Sequence, residues 1–153
     1  MNTTILSVIT ALLLSLIQVD AFADVSLEGK KAKQVVVDYF SALNKSDLKT
    51  IVSLFHTDSV FLANNAPASR GIFEIEKKFK AVFNKIKLNT THKYHHVSVS
   101  GNIAIVESKA NGNLTVLKTR ETLPANDNEL FVLKKINGNW KIDRYMFNSS
   151  EHH

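Results

Sequence analysis

The sequence predicts an α+β fold: three helices packed against a mainly antiparallel sheet. Two observations carry this. Up to Ile86 the apolar residues recur at helical spacing, and from Lys87 onward they alternate or form short runs of strand composition. The later segments are divided by Gly101-Asn102, Asn111-Gly112 and Asn137-Gly138, which are turn dipeptides of hairpins. Helices grouped ahead of strands argue against a parallel βαβ sheet. With 153 residues and no repeat, linker or low-complexity stretch, one domain is expected.

At the N-terminus, Asn2 to Gln18 carry no charge, Ile5 to Ile17 are almost all apolar, and Ala21-Phe22-Ala23 is an A-x-A cleavage pattern. This reads as a secretory signal peptide over residues 1–23, leaving a domain of residues 24–153 exported to a periplasm or medium. No Lys or Arg precedes the apolar run, so a buried helix and a membrane anchor are the competing readings. The run is short for a span, and no stable membrane insertion is expected after cleavage.

The first helix is expected from Leu27 or Glu28 to Asn44. Ala32, Val35, Val36, Tyr39, Phe40 and Leu43 form one apolar face. Ser46 or Asp47 can cap a short second helix carrying Leu48, Ile51, Val52 and Phe55. His56-Thr57-Asp58 then turns the chain into a strand over Ser59 to Leu62, and residues 63–69 read as a loop. A third helix, roughly Ile72 to Ile86, has an apolar stripe of Ile72, Ile75, Phe79, Val82, Phe83 and Ile86. Strands are expected at Lys87 to Ser100, Ile103 to Lys109, Asn113 to Thr122, Glu129 to Ile136 and Asn139 to Phe147, with a loop over Leu123 to Asn128. In the last strand Trp140 and Ile142 share one face and Tyr145 and Phe147 the other. A bulge near Asp143-Arg144 would bring both pairs inside.

The net charge is +5. Lys77, Lys78, Lys80, Lys85 and Lys87 follow Glu74 and Glu76 in the order the helix macrodipole favours, which reads as a solvated face. Without interleaved aromatics or a recognition motif, no nucleic-acid partner is expected. The chain has no cysteine, which excludes disulfide staples, cysteine nucleophiles and Cys-ligated metals. His92 and His96 share a face on a regular strand but lie about 13 Å apart, too far to ligate one metal. No metal and no cofactor is expected.

The segment YFSALNKSDLKTIVSLFHTDSVF, with Tyr39, Phe40, Asn44, Asp47, Leu48, Leu54, Phe55 and Asp58, resembles the opening of the SnoaL-like and ketosteroid-isomerase-like proteins of the nuclear-transport-factor-two-like superfamily. Arg70-Gly71 and Asn137-Gly138-Asn139-Trp140-Lys141-Ile142 extend the resemblance. It implies a cone in which a strongly curved sheet wraps the helices, a pocket at the wide end, and a homodimer formed through the outer face of the sheet. The pocket residues expected on this basis are Tyr39, Phe55, Leu62, Ala63, Phe83, Glu129, Phe131, Tyr145 and Phe147.

Tyr39 matches the tyrosine that ketosteroid isomerases use to stabilise an enolate oxygen, and Glu129 falls near their second donor, a protonated carboxyl. At the position of the isomerase base stands Ala63, and no carboxylate lies between Ser59 and Ile72. Each candidate also has a plainer reading: Tyr39 as a packed core tyrosine, Glu129 as an exposed glutamate at a strand start. Three functions therefore stay open. They are a pocket for a small apolar or amphipathic molecule, an isomerase or lyase using Tyr39 and Glu129, and an interaction module whose cone is plugged by phenylalanines.

Overall fold

The computed structural model describes residues 26–149, so the signal peptide expected at residues 1–23 lies outside the described residues. Helix α1 spans Leu27–Lys45, α2 Leu48–Leu54 and α3 Gly71–Phe83. The strands are β1 Phe55–Leu62, β2 Ser69–Arg70, β3 Ile86–Ser100, β4 Ile103–Val116, β5 Thr122–Ile136 and β6 Asn139–Ser149. They form one six-stranded sheet in the order β2-β1-β6-β5-β4-β3. Among the described residues only the β1–β6 pair is parallel. Three helices packed on this sheet make the α+β cone that the sequence predicts. Among the described residues no helix is long and apolar enough to cross a membrane.

The helix ends follow local chemistry. Ser26 Oγ accepts from Gly29 N at 3.1 Å, and Asp47 caps α2 by accepting from Thr50 N at 3.1 Å and Thr50 Oγ1 at 2.6 Å. Between the helices Ser46 adopts φ 54°, closing α1 in a left-handed turn. Arg70 stands at the N-cap of α3, and its side chain makes no capping bond. Glu74 instead accepts from Arg70 N at 2.7 Å.

Four expected boundaries are corrected. Helix α3 ends at Phe83, not Ile86, because Lys85 O accepts from Leu117 N at 2.8 Å and Ile86 pairs with Val116, drawing the chain into the sheet. His56-Thr57-Asp58 is no turn. The strand starts at Phe55 and bulges, the register jumping from Phe55↔Ile142 to Val60↔Arg144, with Ser59 Oγ donating to Ile142 O at 2.8 Å. Asn111-Gly112 is also no turn, since β4 runs straight through it. Its glycine is there for close packing: a Cβ at Gly112 would stand 2.2 Å from Asn89 O. The expected loop of Leu123 to Asn128 is strand, and the turn lies instead at residues 117–121, where Arg120 has φ 64°. Among the described residues the β5–β6 ladder begins at Asp127↔Ser149, so Pro124 has a described ladder partner only on β4.

Two further bulges curve the sheet. Asp143 is an extra residue between Val132↔Arg144 and Leu133↔Ile142, so Trp140, Ile142 and Tyr145 all face inward, as the sequence predicts. His95 is extra between Tyr94↔Ser108 and His96↔Glu107. That inverts the parity of β3: His92 faces the interior and His96 the outside, so the expectation that they share a face is overturned. The core is aromatic. Phe79, Phe61, Tyr145 and Phe131 stack in sequence at 5.2, 5.0 and 4.2 Å between centroids. Tyr39, 1% exposed, meets Phe40, Phe55, Phe79, Phe131 and Tyr145 edge-on.

Candidate functional site

The inner face of the sheet is not filled at its wide end. A cavity of about 380 Å³ lies between α1, α3, residues 63–66 and strands β3 to β6. Its walls include Leu43, Phe61, Phe79, Val82, Ile86, Leu88 and Leu114, and the volume suits a small organic molecule. The small residues Ala110 and Ala125 on adjacent strands keep its floor open.

Of the nine pocket residues expected, Tyr39, Ala63, Glu129, Tyr145 and Phe147 line this cavity. Four do not. Leu62 is 39% exposed because β1 turns Phe61 inward and Leu62 outward. Phe55 and Phe131 are buried against the ring of Tyr39, and Phe83 packs on Phe79 at the end of α3. The phenylalanines therefore fill the closed part of the cone and leave its mouth open.

Polar groups converge where the cavity meets the core. Glu129 is 7% exposed, with Oε1 accepting from Tyr145 Oη at 3.0 Å and Oε2 from Ser108 Oγ at 2.9 Å. Burial is the main cause that raises its carboxyl to about 8, against the downward pull of these two donors. The shift favours the protonated, neutral form of Glu129 at pH 7. Tyr145 also hydrogen-bonds Tyr39, so Tyr39, Tyr145, Glu129 and Ser108 form one chain of polar groups. Burial pushes both tyrosines well above their usual range, which keeps them as phenol donors. With the Tyr145 and Ser108 protons given to its two oxygens, the protonated Glu129 carboxyl has its own proton to offer a developing oxyanion at the edge of the apolar cavity.

Sequence reasoning missed Asp127 and could not choose among the histidines. Asp127 lines the cavity from the inner face of β5, two residues before Glu129. The signal was the alternation Ala125, Asp127, Glu129, which Pro124 masked by suggesting a loop. His92 lines the cavity from β3, its ring stacked on Phe40 at 3.4 Å and 12°. Its Nε2 lies 3.3 Å from Thr90 Oγ1. Thr90 is clamped by Asn44 at the end of α1: Asn44 Nδ2 donates to Thr90 O at 2.8 Å, while Oδ1 accepts from Thr90 N at 3.0 Å and Thr90 Oγ1 at 3.2 Å. Burial lowers His92 to about 4, so the imidazole is neutral. Among the described residues no group of three or more His, Asp or Glu is placed to hold a metal ion.

No curated protein matches the sequence. Solved structures do. A ketosteroid isomerase-like protein from Erwinia carotovora atroseptica superposes with a TM-score of 0.80 at 25% identity, over 83% of this chain and 99% of that one. A candidate scytalone dehydratase from Novosphingobium aromaticivorans gives 0.70 at 18% identity, covering 82% and 88%. A candidate dehydratase of the NTF2-like family from Streptomyces avermitilis gives 0.69 at 16%, covering 82% and 97%. The last two are likenesses of fold. Residues 36–140 match the model of the SnoaL-like domain, a span that runs from the core of α1 to Trp140 in β6. The chain belongs to the SnoaL-like domain family.

Proposed function

We propose that this SnoaL-like domain is an exported protein whose cavity binds a small apolar or amphipathic molecule, with an oxygen of that molecule set against the Tyr145–Glu129 pair. The observation that carries the reading is Glu129. A carboxyl kept neutral by burial at the edge of a largely apolar cavity, and fixed by Ser108 and Tyr145, is an expensive feature unless it meets a polar group of a ligand. The interaction-module reading has less support, because the aromatic stack forms part of the cavity wall, through Phe61, Phe79 and Tyr145, and leaves the cavity itself unfilled.

A second reading, an isomerase or lyase, is favoured by Asp127. Ala63 at the family's base position cannot take a proton, but Asp127 faces the same cavity as Glu129. In such a reaction a base removes a proton beside a carbonyl, the protonated Glu129 carboxyl, fixed by Tyr145 and Ser108, donates to the resulting enolate oxygen, and the proton returns at another carbon. The ketosteroid isomerase-like protein and the dehydratase candidates among the structural neighbours fit a proton-transfer chemistry of this kind.

The test is native mass spectrometry of the protein recovered from its own export compartment, followed by titration with bicyclic aromatic ketones. The expected result is a mature chain beginning at Asp24, a dimer, and saturable ketone binding weakened about tenfold or more by Glu129→Gln. A chain that retains residues 1–23, or a cavity that takes no ketone, would sink the corresponding half of the proposal. If Asp127→Asn leaves binding intact but abolishes exchange of the ketone's α-hydrogens with deuterium, the enzyme reading gains over simple binding.

A further inference from the structure

The hydrogen bonds around Thr90 fix the state of His92. Asn44 faces both the N–H and the carbonyl of Thr90, so its amide has one orientation: Oδ1 toward the N–H, Nδ2 toward the carbonyl. The Thr90 hydroxyl, 3.2 Å from that same Oδ1, must then donate to it. An oxygen whose proton is already committed can only accept from His92 Nε2. The proton of the neutral imidazole therefore sits on Nε2, and Nδ1 carries a bare lone pair. Stacking on Phe40 holds the ring plane in place. Nδ1 has no hydrogen-bond partner among the described residues, and no enclosed polar side-chain atom there is left unsatisfied, so Nδ1 keeps an accessible surface on a residue that lines the cavity.

We propose that His92 is a specificity-determining acceptor, taking a hydroxyl or N–H of the ligand on Nδ1 while the ligand's carbonyl-type oxygen faces Tyr145 and Glu129. His92, Ala110 and Asp127 lie in one cross-strand row, and Glu129 lies two residues deeper along β5. The acceptor and the donors are thus separated by two strand spacings of about 4.8 Å and two residues of about 3.4 Å. Ala110, between the His92 and Asp127 side chains, leaves the room for a ring. The ligand class this selects is a hydroxylated cyclic or aromatic carbonyl compound, polar at both ends and apolar between them. This rests on the cavity being the ligand site.

The test compares bicyclic ketones with and without a ring hydroxyl, using 1-tetralone and its hydroxy positional isomers on the whole protein. One isomer is expected to bind wild type about tenfold tighter than the parent ketone. His92→Phe, which keeps the stack on Phe40, should bring the ratio of that isomer's affinity to the parent ketone's down to about one. Thr90→Val, which frees the imidazole to place its proton on either nitrogen, should reduce it. Nitrogen-15 shifts of His92 should report the Nε2–H form in wild type. If the parent ketone binds and no isomer gains, or if His92 carries its proton on Nδ1, the acceptor role is overturned while the cavity reading stands. If no ketone binds, both fall.

Discussion

Burial holds the Glu129 carboxyl protonated up to about pH 8, whereas in an unfolded chain it would lose its proton near 4.5. Between those values the unfolded state has released a proton that the folded state keeps, so raising the pH favours unfolding. The stability of the wild type, measured against Glu129→Gln, should fall by a few kcal/mol from about pH 5 to about pH 8 and level off above it. Thermal melts of the two proteins at matched pH check this, and parallel curves would place Glu129 in a solvated setting. His92 titrates the other way. Its lowered value means the wild type should lose stability relative to His92→Phe as the pH falls from about 6.5 toward 4, because the unfolded chain gains a proton the folded ring refuses. At this scale Tyr39 and Glu129 were legible from their aligned positions and strand parity. His92 and Asp127 were not, because each depends on a local irregularity: the bulge at His95, and a strand continuing through Pro124.

Among the elements, the long β3–β4 ribbon was the hardest to read. Asn-Gly between apolar runs is a strong hairpin signal, yet Gly112 serves a close approach to Asn89 and Thr90 rather than a turn. Gly112→Ala should therefore lower stability by about 1–3 kcal/mol through overpacking against backbone that has no rotamer to yield. Chemical denaturation would show it, and a neutral effect would mean that the ribbon flexes there. Asp47→Ala removes both bonds to Thr50 and should cost about 1 kcal/mol, read in the same experiment. The helices were legible to within a few residues because a 3.6-residue period survives over many turns. The strands were legible as composition but not as register, because one extra residue reverses every face beyond it.

On the scale of the whole molecule, the outer face of the sheet carries Ile105 at 38% and Met146 at 45% exposure, beside the half-buried Leu130 and Val132. The homodimer proposed above would cover this face. Sedimentation velocity should find a dimer for the wild type and a monomer for Ile105→Lys, with the inner cavity unaffected. A monomeric wild type would end that proposal. The first turn of α1 is meanwhile fastened to the last hairpin through Glu28, whose Oε2 accepts from Lys135 Nζ at 2.6 Å and from Trp140 Nε1 at 2.9 Å. The Lys135 bond is the largest reason its carboxyl is held down to about 2. Trp140 is the only tryptophan in the sequence. The protein therefore carries its own optical reporter: indole emission watches one joint, the seam between the first helix and the final strand, and can time the docking of that helix as the chain folds, with no label attached.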